Sequence, residues 1–99
     1  MLQEGTFSDS DILHERDVVL FEENGSLGAG EVWFLAAVNG QTICLLSVWE
    51  FLSMDRAAAW AKWRCHERPV LFALDVIRAV CVYRKYADHV VTLFPSYYM

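Results

Sequence analysis

Residues 30–52 read GEVWFLAAVNGQTICLLSVWEFL, two apolar runs on either side of Asn39-Gly40. Asn-Gly in that setting is the strongest short-range signal for a two-residue type I′ hairpin, because both turn positions need positive φ. A two-residue turn fixes the register. Val38 is then opposite Gln41, Ala36 opposite Ile43, Phe34 opposite Leu45, Val32 opposite Ser47 and Gly30 opposite Trp49 on one side. The other side holds Leu35 with Cys44, Trp33 with Leu46 and Ala37 with Thr42. Antiparallel sheets commonly turn one face to water and so alternate apolar with polar residues. This hairpin has two apolar faces, and the second needs a cover.

The next segment supplies one expectation. Ser53-Met-Asp-Arg-Ala-Ala-Ala-Trp-Ala-Lys-Trp-Arg64 begins with a good N-cap, has Asp55 near the positive end and contains three consecutive alanines, which predicts a helix over about 54–64. On a helical wheel Arg56, Trp60, Trp63 and Arg64 share one side. Such a helix would fold over the Trp33-Leu35-Cys44-Leu46 face, leaving Phe34, Ile43, Leu45 and Trp49 to fill a barrel; otherwise a second subunit supplies the cover.

Outward from the hairpin, Val18–Phe21 reads as a buried strand, and residues 22–30, with three glycines and a second Asn-Gly, as a loop or hairpin tip. After Pro69, Val70–Leu74 reads as a strand. Asp75 marks a bend, and residues 76–83 form a further strand, with a short helix over 74–80 as the alternative. His89–Phe94 is a last strand closed by Pro95. Residues 1–11 lack periodicity and read as a flexible N-terminal arm before a single domain over 12–99. The fold class is therefore mainly β: a strongly bent antiparallel sheet or small barrel of about five strands, with one short helix after the central hairpin.

Ninety-nine residues suffice for one modest core. At 56% apolar, 14% aromatic and 21% charged residues, the surface is short of charge, which points to burial against another chain, a homodimer in the simplest case. No apolar run reaches the roughly 18 residues of a membrane-spanning helix. The acidic start is unlike a signal peptide, and three cysteines without paired spacing suit a reducing compartment, so an intracellular, cytoplasmic protein is expected. The net charge of −5 divides unevenly: residues 1–55 hold ten acids against one base, residues 56–99 three acids against seven bases. The acidic balance argues against a nucleic-acid partner.

Catalytic patterns are absent. His14-Glu-Arg and His66-Glu-Arg each lack the second histidine of a zinc helix, since Val18 and Val70 stand in its place, and no cofactor or metal is implied. Cys65, among Arg64, His66 and Arg68, is the thiol whose pKa should be lowest. The aromatics say more. Trp and Tyr dominate binding hot spots, which makes Trp33, Trp49, Trp60, Trp63 and Tyr83 interface candidates together with Arg56 and Arg64.

The Gly30-Glu-Val-Trp-Phe entry, the Asn39-Gly40 hairpin ending in Ser47-Val-Trp-Glu-Phe51 and the strand Val76-Ile-Arg-Ala-Val-Cys-Val82 together resemble, in pattern over about 17–94, SH3-like barrels of the bromo-adjacent homology kind. That resemblance implies a non-enzymatic module that binds protein or peptide partners. The expected function is thus a self-associating interaction or adaptor module. The alternative is a ligand-binding protein or enzyme with a pocket lined by Trp33, Trp49 and Trp60.

Overall fold

The computed structural model describes residues 4–6 and 12–94. Their strands are β1 (Glu4–Thr6), β2 (Ile12–His14), β3 (Val18–Glu23), β4 (Ser26–Val38), β5 (Gln41–Val48), β6 (Glu50–Asp55), β7 (Trp60–Arg64), β8 (Pro69–Ala73), β9 (Ile77–Val80), β10 (Val82–Lys85) and β11 (Val90–Leu93). All pairings are antiparallel, in a five-stranded sheet of order β8-β5-β4-β3-β9, a four-stranded sheet of order β10-β11-β7-β6 and the small pair β1-β2. The sheets do not close into a barrel. The arm expected over 1–11 lies outside the described residues apart from 4–6, which pair with 12–14.

Both Asn-Gly pairs make hairpins. Asn39 and Gly40 have φ of 52° and 77°, and Asn24 and Gly25 have 54° and 79°, the left-handed pair that a type I′ turn requires. The first joins β4 to β5 and the second β3 to β4. Gly28 and Gly30, expected in a loop, lie inside β4, where a Cβ would run into the Phe21 ring and the Ser47 carbonyl respectively.

From the 39–40 turn the register is as expected through Phe34 opposite Leu45, and then slips by one: Val32 pairs with Leu46 and Gly30 with Val48. Trp33 is the extra residue, a β-bulge. Without it Val32 and Leu35 would point to opposite faces, since side chains alternate along a strand. With it, both are fully buried on one face.

That face carries the first core: Val19 and Phe21 of β3, Val32 and Leu35 of β4, Cys44 and Leu46 of β5, and Phe72 of β8, closed by Leu13 of β2 and by Leu74 in the 3₁₀ turn Leu74–Val76. The opposite face carries Val18, Leu20 and Ala29, packed against Ala61, Trp63 and Val90 of the four-stranded sheet. The bend expected at Asp75 is this 3₁₀ turn, and the residues after it are strand.

No helix forms over 54–64. Arg56–Ala59 is the turn of a β6–β7 hairpin, in which Asp55 Oδ1 accepts the Ala58 N–H at 3.1 Å and Ala59 adopts a φ of 58°. The alanines that favour helix are spent on the turn. Beyond them Ala61 and Trp63 point into the core while Trp60, Lys62 and Arg64 point away, a period of two. As strand, Trp63 is buried and its indole N–H reaches the buried Thr92 hydroxyl at 2.9 Å. Burying that large ring outweighs alanine propensity, worth a few tenths of a kcal/mol per residue.

Two chain segments belong to both sheets. β5 runs through Trp49 into β6, and β9 through Cys81 into β10. At each corner the backbone stays tied to the five-stranded sheet: the Trp49 N–H donates to Ala29 O at 2.9 Å and the Cys81 N–H to Val18 O at 2.7 Å. Both corner side chains are buried in the second core.

Candidate functional site

The four-stranded sheet covers only part of the second face of the five-stranded sheet. Toward the 39–40 turn the register lays out two rows, Ala36–Ile43–Ala73 and Phe34–Leu45–Leu71, with Val38 beyond them. None of these side chains is charged. All are half-buried except Val38 and Leu71, which are 48% and 59% exposed, and none belongs to either core. Among the described residues, the second apolar face of the hairpin is therefore covered over one half of its length and open over the other.

Where the two sheets diverge, a cleft of about 430 Å³ opens at the Trp33 bulge. Trp33 lines it, and so does the largely buried Trp49. Arg16, in the β2–β3 turn with a φ of 75°, and Lys85, at the end of β10, bring cations; Glu31 of β4 and Glu67 of the 65–68 loop bring carboxylates. The loop is held in place by Ser47 Oγ, which donates to His66 O at 2.6 Å, and by the Val48 N–H, which donates to Arg68 O at 2.9 Å.

Beside the cleft, Glu50 accepts a hydrogen bond from Arg64 at 3.2 Å, and His66 Nε2 is 3.2 Å from the same carboxylate oxygen. The neighbouring bases do not bring the Cys65 thiol below its ordinary value, although Cys44 and Cys81 are raised to about 11 and about 12. The Cys65 thiol is shifted upward: burial dominates, the Lys85 ammonium pulls it down and the Glu31 carboxylate pushes it up. Arg64 faces Glu50 rather than the thiol.

The outer face of the four-stranded sheet forms a third surface. Cross-strand pairing sets Val82, Leu93 and Trp60 in one row and Arg84, Val91 and Lys62 in the next, an apolar row beside a basic one. Tyr86 stacks on His89 at a centroid distance of 4.6 Å and closes one end.

The aromatic candidates thus separate. Trp33 and Trp49 meet at the cleft, Trp60 lies on the outer sheet face, and Trp63 is 1% exposed in the core, where Phe51 packs edge-on against it at 5.5 Å. Tyr83 is half exposed on the edge strand β10, Arg56 is exposed at the tip of the β6–β7 hairpin, and Arg64 is held by Glu50. Trp33 and Trp49 line one cleft and Trp60 another. Sequence reasoning missed Leu71, whose only signal was its place in a strand run, and Arg16, Glu31 and Lys85, which are too far apart in sequence to suggest a common site.

Among the described residues no group of three or more His, Cys, Asp or Glu is placed to hold a metal ion, and no helix is long and apolar enough to cross a membrane. No family model, no curated protein and no solved structure matches the chain.

Proposed function

We propose that the chain is a non-catalytic protein-interaction module that works as a homodimer, with a second copy covering the open half of the hairpin face. The observation that carries this reading is the absence of charge from the Ala36–Ile43–Ala73 and Phe34–Leu45–Leu71 rows. In an isologous contact each residue meets the same surface of its partner, so any charge on the face risks meeting its own sign. The outer face of the four-stranded sheet, with Arg84 and Lys62, carries that penalty; the hairpin face does not. Two such faces stack as aligned sheets in the manner of a β-sandwich, with side chains interdigitating across about 10 Å.

The interaction role agrees with what the SH3-like resemblance implies, and a reducing, intracellular setting agrees with three free thiols, Cys44, Cys65 and Cys81. The test is light scattering with Leu71→Glu, a change at an exposed edge-strand position that leaves both cores intact. The natural chain should be a dimer at micromolar concentration and the variant a monomer with unchanged circular dichroism. A natural chain that is monomeric, or a variant that stays dimeric, overturns the assignment.

A further inference from the structure

The cleft at the Trp33 bulge has a feature that packing does not require. Arg16, Lys85, Glu31 and Glu67 all line it, two cations and two carboxylates, yet none of the four makes an ion pair or side-chain hydrogen bond with another described residue. Their positions are set by separate elements: a turn in the left-handed region, the end of an edge strand, a strand interior and a loop pinned by Ser47 and Val48. Opposite charges held around one cleft without neutralising each other are poised for a guest that carries both signs. Trp33 and Trp49 line the cleft among these polar groups, and Trp33 is brought to it by the one-residue slip of the ladder; bulges recur where a side chain must be re-aimed at a site.

We infer that this cleft binds a small zwitterion bearing a free ammonium and a free carboxylate, of the size and kind of an α-amino acid. The carboxylate is recognised by the Arg16 guanidinium and the Lys85 ammonium, since guanidinium is suited to paired hydrogen bonds with a carboxylate. The ammonium is recognised by Glu31 and Glu67, and an apolar side chain by Trp33, whose π face also attracts a cation. About 430 Å³ lies within the range of small-molecule sites.

This assignment does not depend on dimerisation, because none of the six residues lies in the proposed dimer rows. The experiment is isothermal titration of the full chain with L-leucine and L-phenylalanine, each alongside its N-acetyl derivative and its amide, with indole fluorescence as a second readout. Saturable binding of at least one free amino acid is expected, weakened tenfold or more when either the ammonium or the carboxylate is blocked. It should weaken comparably in Arg16→Gln and Glu31→Gln, and be unchanged in the Leu71→Glu monomer. Folding of each variant is checked by its melting curve. Absence of binding by either amino acid, equal binding of the blocked derivatives, or indifference to both substitutions overturns the inference.

Discussion

Cys44 and Cys81 show how much a single atom depends on where the fold puts it. Burial pushes the Cys44 thiol from its ordinary value of 9.0 to about 11, and the Cys81 thiol to about 12 against a small opposing contribution from the Leu20 backbone. Both groups ionise at higher pH in the folded chain than in the unfolded one. Their effect on stability is therefore absent below pH 9, grows as the unfolded thiols release protons above it, and saturates once the folded thiols ionise too. The sign is destabilising: about 1.4 kcal/mol is lost per pH unit per thiol within that window. We expect urea-unfolding free energies to fall between pH 9 and pH 11, and to fall less steeply in Cys44→Ala; parallel slopes would show that Cys44 does not contribute. The burial of these two thiols was legible in the sequence, since both stand in apolar strand runs. The depth of Trp63 was not. Composition marks tryptophan as a residue that binds or packs, and only the position of Thr92 across the sheet, 29 residues away, decides that this one packs.

At the scale of elements the turns were readable and the slip between them was not. Asn-Gly demands a particular backbone and obtains it twice, and the register follows for as long as the ladder is regular. Nothing local announces that Trp33 is an extra residue. Its signal is a parity conflict, two core residues at odd separation in one strand, visible only once the core is known. Deleting Trp33 should therefore be tolerated: Val32 would still pair with Leu46 and Phe34 with Leu45, and both keep their faces. We expect the shortened chain to melt cooperatively with an unchanged β spectrum, while amino-acid binding is lost; an unfolded product would mean that the bulge is needed for the twist. The misread helix has a different cause. Trp60 and Trp63 fit a helical spacing as well as Ala61 and Trp63 fit a strand, and three alanines tipped the balance locally although their preference is small beside the burial of an indole. The cleft was legible only in part, through Trp33 and Trp49, because its charged lining comes from four separate elements.

For the whole molecule, the shortage of charge in the sequence finds its place. An apolar composition needs two cores, which the five-stranded sheet provides by burying both faces, and still leaves the Leu71 end open. If a second copy fills that end, stability is tied to concentration, because dimerisation adds its binding free energy to that of the fold. We expect the melting temperature to rise with protein concentration for the natural chain and to be independent of it for Leu71→Glu. A melting temperature that ignores concentration in both would leave the face solvent-exposed and the dimer unsupported.

The strand order has a consequence for how the chain is made. β11, the last strand of the described chain, lies between β10 and β7, in the interior of its sheet and not at its edge. During synthesis from the N-terminus, Trp63 and Ala61 have no neighbour on that side until Val90 to Leu93 have left the ribosome, and β10 has no partner at all. The sheet that covers half of the hairpin face is thus completed only by β11, the last of the described strands. Until then the nascent chain exposes the apolar surface that it later hides, and exposed surface and unpaired strand edges of this kind favour pairing between chains.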